Sequence, residues 1–370
     1  MLAYCGLFCY NKQMKRERRL VVVNETGNNT IYEVAKEAGV SITTVSRVLH
    51  GKDTVSPKTR QKVEAVIKQL NYRPSAIARG LTGQKTNTLG IILPKLTNPN
   101  YALIFNGAYE EARKHGYAVS LFPWSSLSAE DYNPALMLAE RRLDGVIINV
   151  EYLAPEDAVL LERELKELHQ YMPVVLIGCV PQTLEYPTIN YKYSEWMQKI
   201  VGELTALGHE RIAFIGGAEG DRYDFRRDVG YAAGLKEARL PFVGNYRIYC
   251  KATAEAGENA MREMLESLQP RYWPTAVIAI NDMVAIGCQK VAFRYGLRIP
   301  QDMSIVGCDN LFFASFNNPP LSTVDTKQQE LGARAVRKLL SGDGSRENAE
   351  WELILRESIG KAADPVSDTE

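Results

Sequence analysis

Residues 41–49, Ser-Ile-Thr-Thr-Val-Ser-Arg-Val-Leu, put three kinds of contact chemistry into one short segment. On a helix, Val45, Val48 and Leu49 share one side, leaving Ile42, Thr43, Thr44, Ser46 and Arg47 around the other. An arginine suits guanine, serine and threonine hydroxyls suit base edges or phosphates, and a branched apolar side chain suits the thymine methyl. The same spacing also describes an ordinary three-helix bundle with a solvated face. Further along, Asn281-Asp282 follows the apolar run 276–280, Asp309 follows 304–308, and Arg227 stands three residues before Gly230-Tyr231. Charged and amide groups at strand ends are what a cleft for a polar metabolite needs. Asp282 reads first as a helix N-cap. No P-loop, HExxH, GxSxG or paired-carboxylate motif occurs, and Gly216-Gly217-Ala218-Glu219-Gly220 is not GxGxxG. His115, His169 and His209 read as partners of helix C-termini. The six cysteines form no CxxC pair and have no histidines at metal spacing. The chain is therefore read as no enzyme, with no catalytic residue, no metal and no cofactor.

Local signals say how these groups are positioned. Thr30-Ile31-Tyr32-Glu33 has the form of a capping box, which predicts a helix from Thr30 with Val34, Ala35 and Ala38 on its apolar face. Gly39 breaks that helix, and Ser41 caps the next one. Ser56 as cap and Pro57 at the first position open a third, carrying Val63, Val66, Ile67 and Leu70 at helical spacing. Two short helices about a tight glycine turn, with a third across them, form a helix-turn-helix unit. Pro74 and Gly83 then bracket a segment of about two turns, too short to be a stable helix alone in water. Leu81 within it is either a packing residue or a wedge for a base step.

From Thr88 short apolar strands alternate with amphipathic helices. Candidate strands are 89–93, 118–122, 145–149, 174–177, 212–216, 247–250, 276–280 and 304–308, followed by helix 328–340 and strand 351–355. Such alternation means parallel sheets with right-handed crossovers. The series restarts near Pro187–Tyr191, giving two units with a cleft at the carboxyl ends of their strands.

Charge separates along the same line. Lys+Arg and Asp+Glu are both 44, yet residues 1–86 hold 15 basic against 6 acidic residues, +9, and residues 87–370 are −9. A basic head suits a phosphate backbone, and an acidic body is repelled by it. The apolar residues at the start precede Lys12, Lys15, Arg16, Arg18 and Arg19, the reverse of a secretory signal. Residues 1–28 are expected to be disordered, with Met14 an alternative start. No apolar run reaches membrane-spanning length, and cysteine usage fits a cytoplasmic protein.

The run from Thr30 to Gly83, above all Thr44-Val45-Ser46-Arg47-Val48-Leu49 and Leu70-Asn71-Tyr72-Arg73-Pro74, closely resembles the LacI/GalR family of bacterial repressors. The likeness continues to Gly360. It implies an all-α helix-turn-helix head plus an α/β two-lobed sensor of the periplasmic-binding-protein type I fold. It also implies that Ile42, Thr43 and Arg47 face bases, and that Thr30, Tyr32, Ser41, Thr44 and Ser46 hold phosphates. Ala78 and Leu81 would enter the minor groove, and His50 stands where the family usually has Asn. In the cleft, Asn98, Tyr101, Arg227, Asn281 and Asp309 match family positions that contact effectors. Trp124 and Ser125 occupy a comparable strand end, where Trp124 is either a stacking residue or core. Gly178-Cys179 departs from a common Asp-Arg, Lys95 from Asp, Ala252 from an aromatic and Thr326 from Gln, which removes two hydroxyl-reading groups and leaves a larger, less polar or anionic ligand, met by Lys95, as the alternative to a simple monosaccharide.

Domain expectations are a 1–28 extension, a 29–73 head, a 74–86 hinge, an 87–361 effector domain and a 362–370 tail. Lobe 1 takes 87–190 and 326–347, and lobe 2 takes 191–325 and 348–361. The expected partners are a palindromic double-stranded DNA operator, a small-molecule effector related to carbohydrates, and a second copy of the chain, with no membrane. The tail carries no leucine heptads. The alternative is a solute-binding or carrier protein whose head makes protein contacts.

Overall fold

A computed structural model describes residues 30–49, 54–72, 85–94, 97–123, 134–151, 157–217 and 222–363. The expectations for residues 1–28, His50, Ala78, Leu81, Lys95, Trp124 and Ser125 lie outside them. Two compact units divide the chain between Thr82 and Gly83.

The first unit is built from α1 (Ile31–Ala38), α2 (Ile42–Leu49) and α3 (Pro57–Gln69). Each begins where a local hydrogen bond fixes it. Thr30 Oγ1 accepts the Glu33 N–H while the Glu33 carboxylate takes the Thr30 N–H, closing both halves of the capping box. Gly39 ends α1 with φ 60°, a conformation that costs glycine no Cβ clash. Ser41 Oγ then accepts the Thr44 N–H, and Ser56 Oγ the Thr59 N–H ahead of Pro57. Val34, Ala38, Val45 and Val63 are fully buried in a core that Val48, Val66 and Tyr72 complete.

The second unit holds two sheets. The first uses β1 (Thr88–Leu93), β2 (Ala118–Pro123), β3 (Val146–Asn149), β4 (Val174–Gly178) and β5 (Thr188–Asn190). Between them run α4 (Pro99–Lys114), α5 (Pro134–Glu140) and α6 (Asp157–Leu168). The second sheet uses β6 (Ile212–Ile215), β7 (Arg247–Ile248), β8 (Ala276–Ala279), β9 (Ser304–Cys308) and β10 (Ser322–Asp325). Its helices are α7 (Tyr193–Ala206), α8 (Arg222–Glu237), α9 (Ala254–Ser267) and α10 (Asp282–Arg294). The chain then returns through α11 (Gln328–Ser341) to β11 (Arg346–Asn348) in the first sheet and β12 (Glu352–Ile354) in the second.

Strand order is β11-β5-β4-β3-β1-β2 in one sheet and β12-β10-β9-β8-β6-β7 in the other. Every pairing between these strands is parallel except β10 with β12. Buried runs such as Val146–Asn149 and Ala276–Ala279 have no polar alternation because helices cover both faces. No described helix is long and apolar enough to cross a membrane.

Two glycines explain how α11, from the far end of the chain, packs into the first lobe. A Cβ on Gly107 of α4 would lie 1.7 Å from the Gln329 carbonyl oxygen, and one on Gly332 of α11 would lie 2.0 Å from that of Ile104. The backbones touch where side chains would hold them apart.

β6 stops before Gly216 rather than including it. Gly216 has φ 120°, and a Cβ there would meet Ile280 Cγ2 at 2.3 Å. The glycine pair is therefore a backbone requirement of the turn.

His209 does more than end a helix. It is 1% exposed, with Nδ1 3.0 Å from Thr275 Oγ1 and Nε2 3.0 Å from both Ser304 Oγ and the Gly360 carbonyl. A carbonyl only accepts, so Nε2 carries the proton and Nδ1 accepts from Thr275. Burial lowers the imidazole pKa below its ordinary value of 6.5, against the opposing pull of the Gly360 carbonyl. The unfolded chain therefore takes up a proton near that value while the native state resists it. This contribution to stability is complete above it and is lost as the pH falls. Thermal unfolding at pH 7.5 and 5.5 should show wild type losing more than His209→Gln does, and equal losses would contradict the assignment.

Candidate functional site

The head presents one face that its own core cannot use. Burial of Val45 and Val48 fixes the rotation of α2, leaving Ser41, Ile42, Thr43 and Arg47 exposed and Thr44 and Ser46 half-buried. Ile42 is 40% exposed and Tyr32, on α1, 69%. The Ser41 and Thr44 hydroxyls lie 2.9 Å apart at the start of α2, where free backbone N–H groups and hydroxyls suit a phosphate. Thr30 and Ser41 serve as helix caps as well.

In the second unit, groups from both lobes converge on Glu151, just beyond the carboxyl end of β3. Tyr101 of α4 donates its hydroxyl to Glu151 Oε2 at 3.3 Å. Tyr193, at the start of α7 in the second lobe, donates to Oε1. Arg227 of α8 approaches Oε1 at 3.4 Å while its guanidinium lies 3.6 Å from the centre of the Tyr193 ring. All four side chains are buried. Beside them Asn98 Nδ2 reaches Asp309 Oδ2 at 3.5 Å, a second contact between lobes. The space between Tyr193, Arg227, Ile280, Cys308 and Val324 is a cavity of about 10 Å³, room for about one water. A larger depression of about 360 Å³, lined by Phe293, Pro300 and Pro319, touches none of these groups.

Asp309 sits at φ 112°, a conformation that side chains rarely adopt and that costs of order 1–3 kcal/mol. Burial, followed by the charges of Asp282 and Glu151, pushes its carboxyl well above the usual carboxylate range. Asn281, not Asp282, caps α10, accepting the Val284 N–H at 2.9 Å and donating to the Ala252 carbonyl at 3.4 Å. Asp282 is fully buried one residue later, accepting from the Leu311 N–H and the Thr323 hydroxyl, and burial raises it to about 7. The structure thus brings Asn98, Tyr101, Arg227 and Asp309 to one cleft and engages Asn281 with its own helix.

Residues 30–75 match the family model of bacterial regulatory proteins, lacI family, and residues 201–359 match that of a periplasmic binding protein-like domain. Catabolite control protein A of Priestia megaterium is 33% identical over 314 residues, 84% of this chain and 92% of that protein. The chain belongs to the LacI family. The HTH-type transcriptional repressor CytR of Escherichia coli (strain K12) is 31% identical over 336 residues, 89% of this chain and 96% of that protein. The lac repressor dimer bound to operator and the anti-inducer ONPF matches with a TM-score of 0.80 and 28% identity, over 90% of this chain and 99% of that one.

This LacI-family chain is a DNA-binding transcriptional regulator with a helix-turn-helix head and a periplasmic-binding-protein-like body, and not an enzyme. The carrier reading of the head gives way to this. One cleft residue escaped sequence reasoning altogether. That residue is Glu151. Gly178, at φ 118°, leaves room for the Glu151 backbone, whose N would lie 3.3 Å from a Cβ there. The signal available was an acidic residue two positions beyond an apolar strand. Similarly Gln328 fills the space beside Thr326, donating to its hydroxyl and accepting from Tyr191 at 3.3 Å.

Proposed function

We propose that the protein is a cytoplasmic repressor that binds a palindromic operator as a dimer and responds to a small polyhydroxylated effector in its cleft. The observation that carries this is the exposed Ile42, Thr43 and Arg47 face of α2, locked outward by Val45 and Val48. In this reading residues 29–73 are the head, 74–86 the hinge and 87–361 the sensor. Ile42, Thr43 and Arg47 read bases, with Thr30, Tyr32, Ser41, Thr44, Ser46 and His50 on phosphates and Ala78 and Leu81 in the minor groove. Asn98, Tyr101, Trp124, Ser125, Arg227, Asn281 and Asp309 line the effector cleft. Dimerisation is supported by Phe312 and Phe316, 75% and 82% exposed on the second lobe, which offer apolar surface for a second copy to cover. The effector acts through its different affinity for open and closed lobes.

Selection from random DNA followed by footprinting tests the proposal. The expected result is a protected sequence with two-fold symmetry, and an affinity that falls steeply as salt rises because phosphate contacts release counterions. An asymmetric site, or binding indifferent to salt, would reject it. Compounds that release the operator are then expected to bind Arg227→Ala at least tenfold more weakly.

A further inference from the structure

We propose that Glu151 sets the effector class of the cleft, barring phosphorylated and carboxylated metabolites and admitting neutral polyols. This rests on reading the cleft as the effector site. Two buried carboxylates, Glu151 from the first lobe and Asp309 from the second, face the described part of the cleft, and Arg227 is the described buried cation among them. That guanidinium is committed already, to Glu151 Oε1 at 3.4 Å and to the face of Tyr193. Among the described residues, the Glu151 carboxylate also accepts from the hydroxyls of Tyr101 and Tyr193, neutral donors. Burial pushes the Tyr193 phenol well above its ordinary value, which keeps its proton in place.

An arriving anion would have to compete with Glu151 for Arg227 and would leave that carboxylate buried beside another negative charge. A neutral hydroxyl faces no such conflict, because it donates to Glu151 or Asp309 and accepts from Arg227. Glu151 also spans the lobes, so a ligand that engages it acts where closure is decided.

Inorganic phosphate is the probe. Thermal midpoints of the full chain are measured across a phosphate titration at constant ionic strength, with chloride as reference. Glu151→Gln keeps the shape and removes the charge, freeing Arg227 to take an anion. Glu151→Gln is expected to bind phosphate at least tenfold more tightly than wild type, and Glu151→Gln with Arg227→Ala to lose that gain. Equal phosphate affinity in wild type and Glu151→Gln overturns the proposal, as does a gain that survives Arg227→Ala. Failure of the underlying reading looks different: a compound that releases operator DNA would then bind Arg227→Ala with unchanged affinity.

Discussion

Arg47→Ala is expected to lower affinity for the selected operator by about 1–3 kcal/mol, roughly 5- to 150-fold, the range for one bidentate base contact. Binding to unrelated DNA should fall far less, because phosphate contacts supply it and the rest of the basic head is untouched. The argument begins in the core of the head. Val45 has no exposure and Val48 5%, so α2 cannot rotate without exposing both. Arg47 is therefore held on the solvent face with Ile42 and Thr43. A solvated arginine with no partner in DNA would cost nothing measurable when removed. Repeating the random-DNA selection with the variant distinguishes the two cases. The consensus should lose information at the Arg47 position in each half-site, and an unaltered consensus would remove Arg47 from base reading.

The head was legible because its signals act over three or four residues. The Thr30–Glu33 box, Gly39, Ser41 and the Ser56-Pro57 pair each form where the sequence places them. In the body, apolar runs marked the long strands, but β5, β10 and β11 escaped. They are three or four residues long and rich in polar side chains. Ser322 and Thr323 of β10 are fully buried, their hydroxyls bonded to the Arg356 carbonyl and the Asp282 carboxylate. Hydropathy cannot see a buried strand whose polar atoms are satisfied from distant chain.

The same limit governs the cleft. Glu151 gains its role from Tyr193, Tyr101 and Arg227, which lie 42, 50 and 76 residues away in sequence. His209 depends on partners 66, 95 and 151 residues away. Asn281 and Asp282 are both good caps, so their order alone could not say which one sits at the helix boundary. The resemblance supplied Arg227 and Asp309 but not Glu151, whose chemistry belongs to this chain.

Arg227→Ala is expected to destabilise the second unit by about 3 kcal/mol, the low end for breaking a buried ion pair by removing one partner. Removing the guanidinium leaves Glu151, 5% exposed, without the cation that now lies 3.4 Å away, and strips the face of Tyr193. The Tyr101 and Tyr193 hydroxyls still donate to the carboxylate, which keeps the loss from being larger. If the loss comes from the stranded charge, removing that charge must restore stability. Glu151→Gln with Arg227→Ala should recover most of the deficit, giving a coupling energy of about 2 kcal/mol in a double-mutant cycle. Chemical denaturation of the four chains measures it. Additive losses would mean that Arg227 stabilises only by packing on Tyr193. A positive coupling would establish that the lobes are held together through a carboxylate and a guanidinium, the pair that the proposed effector would have to satisfy or separate.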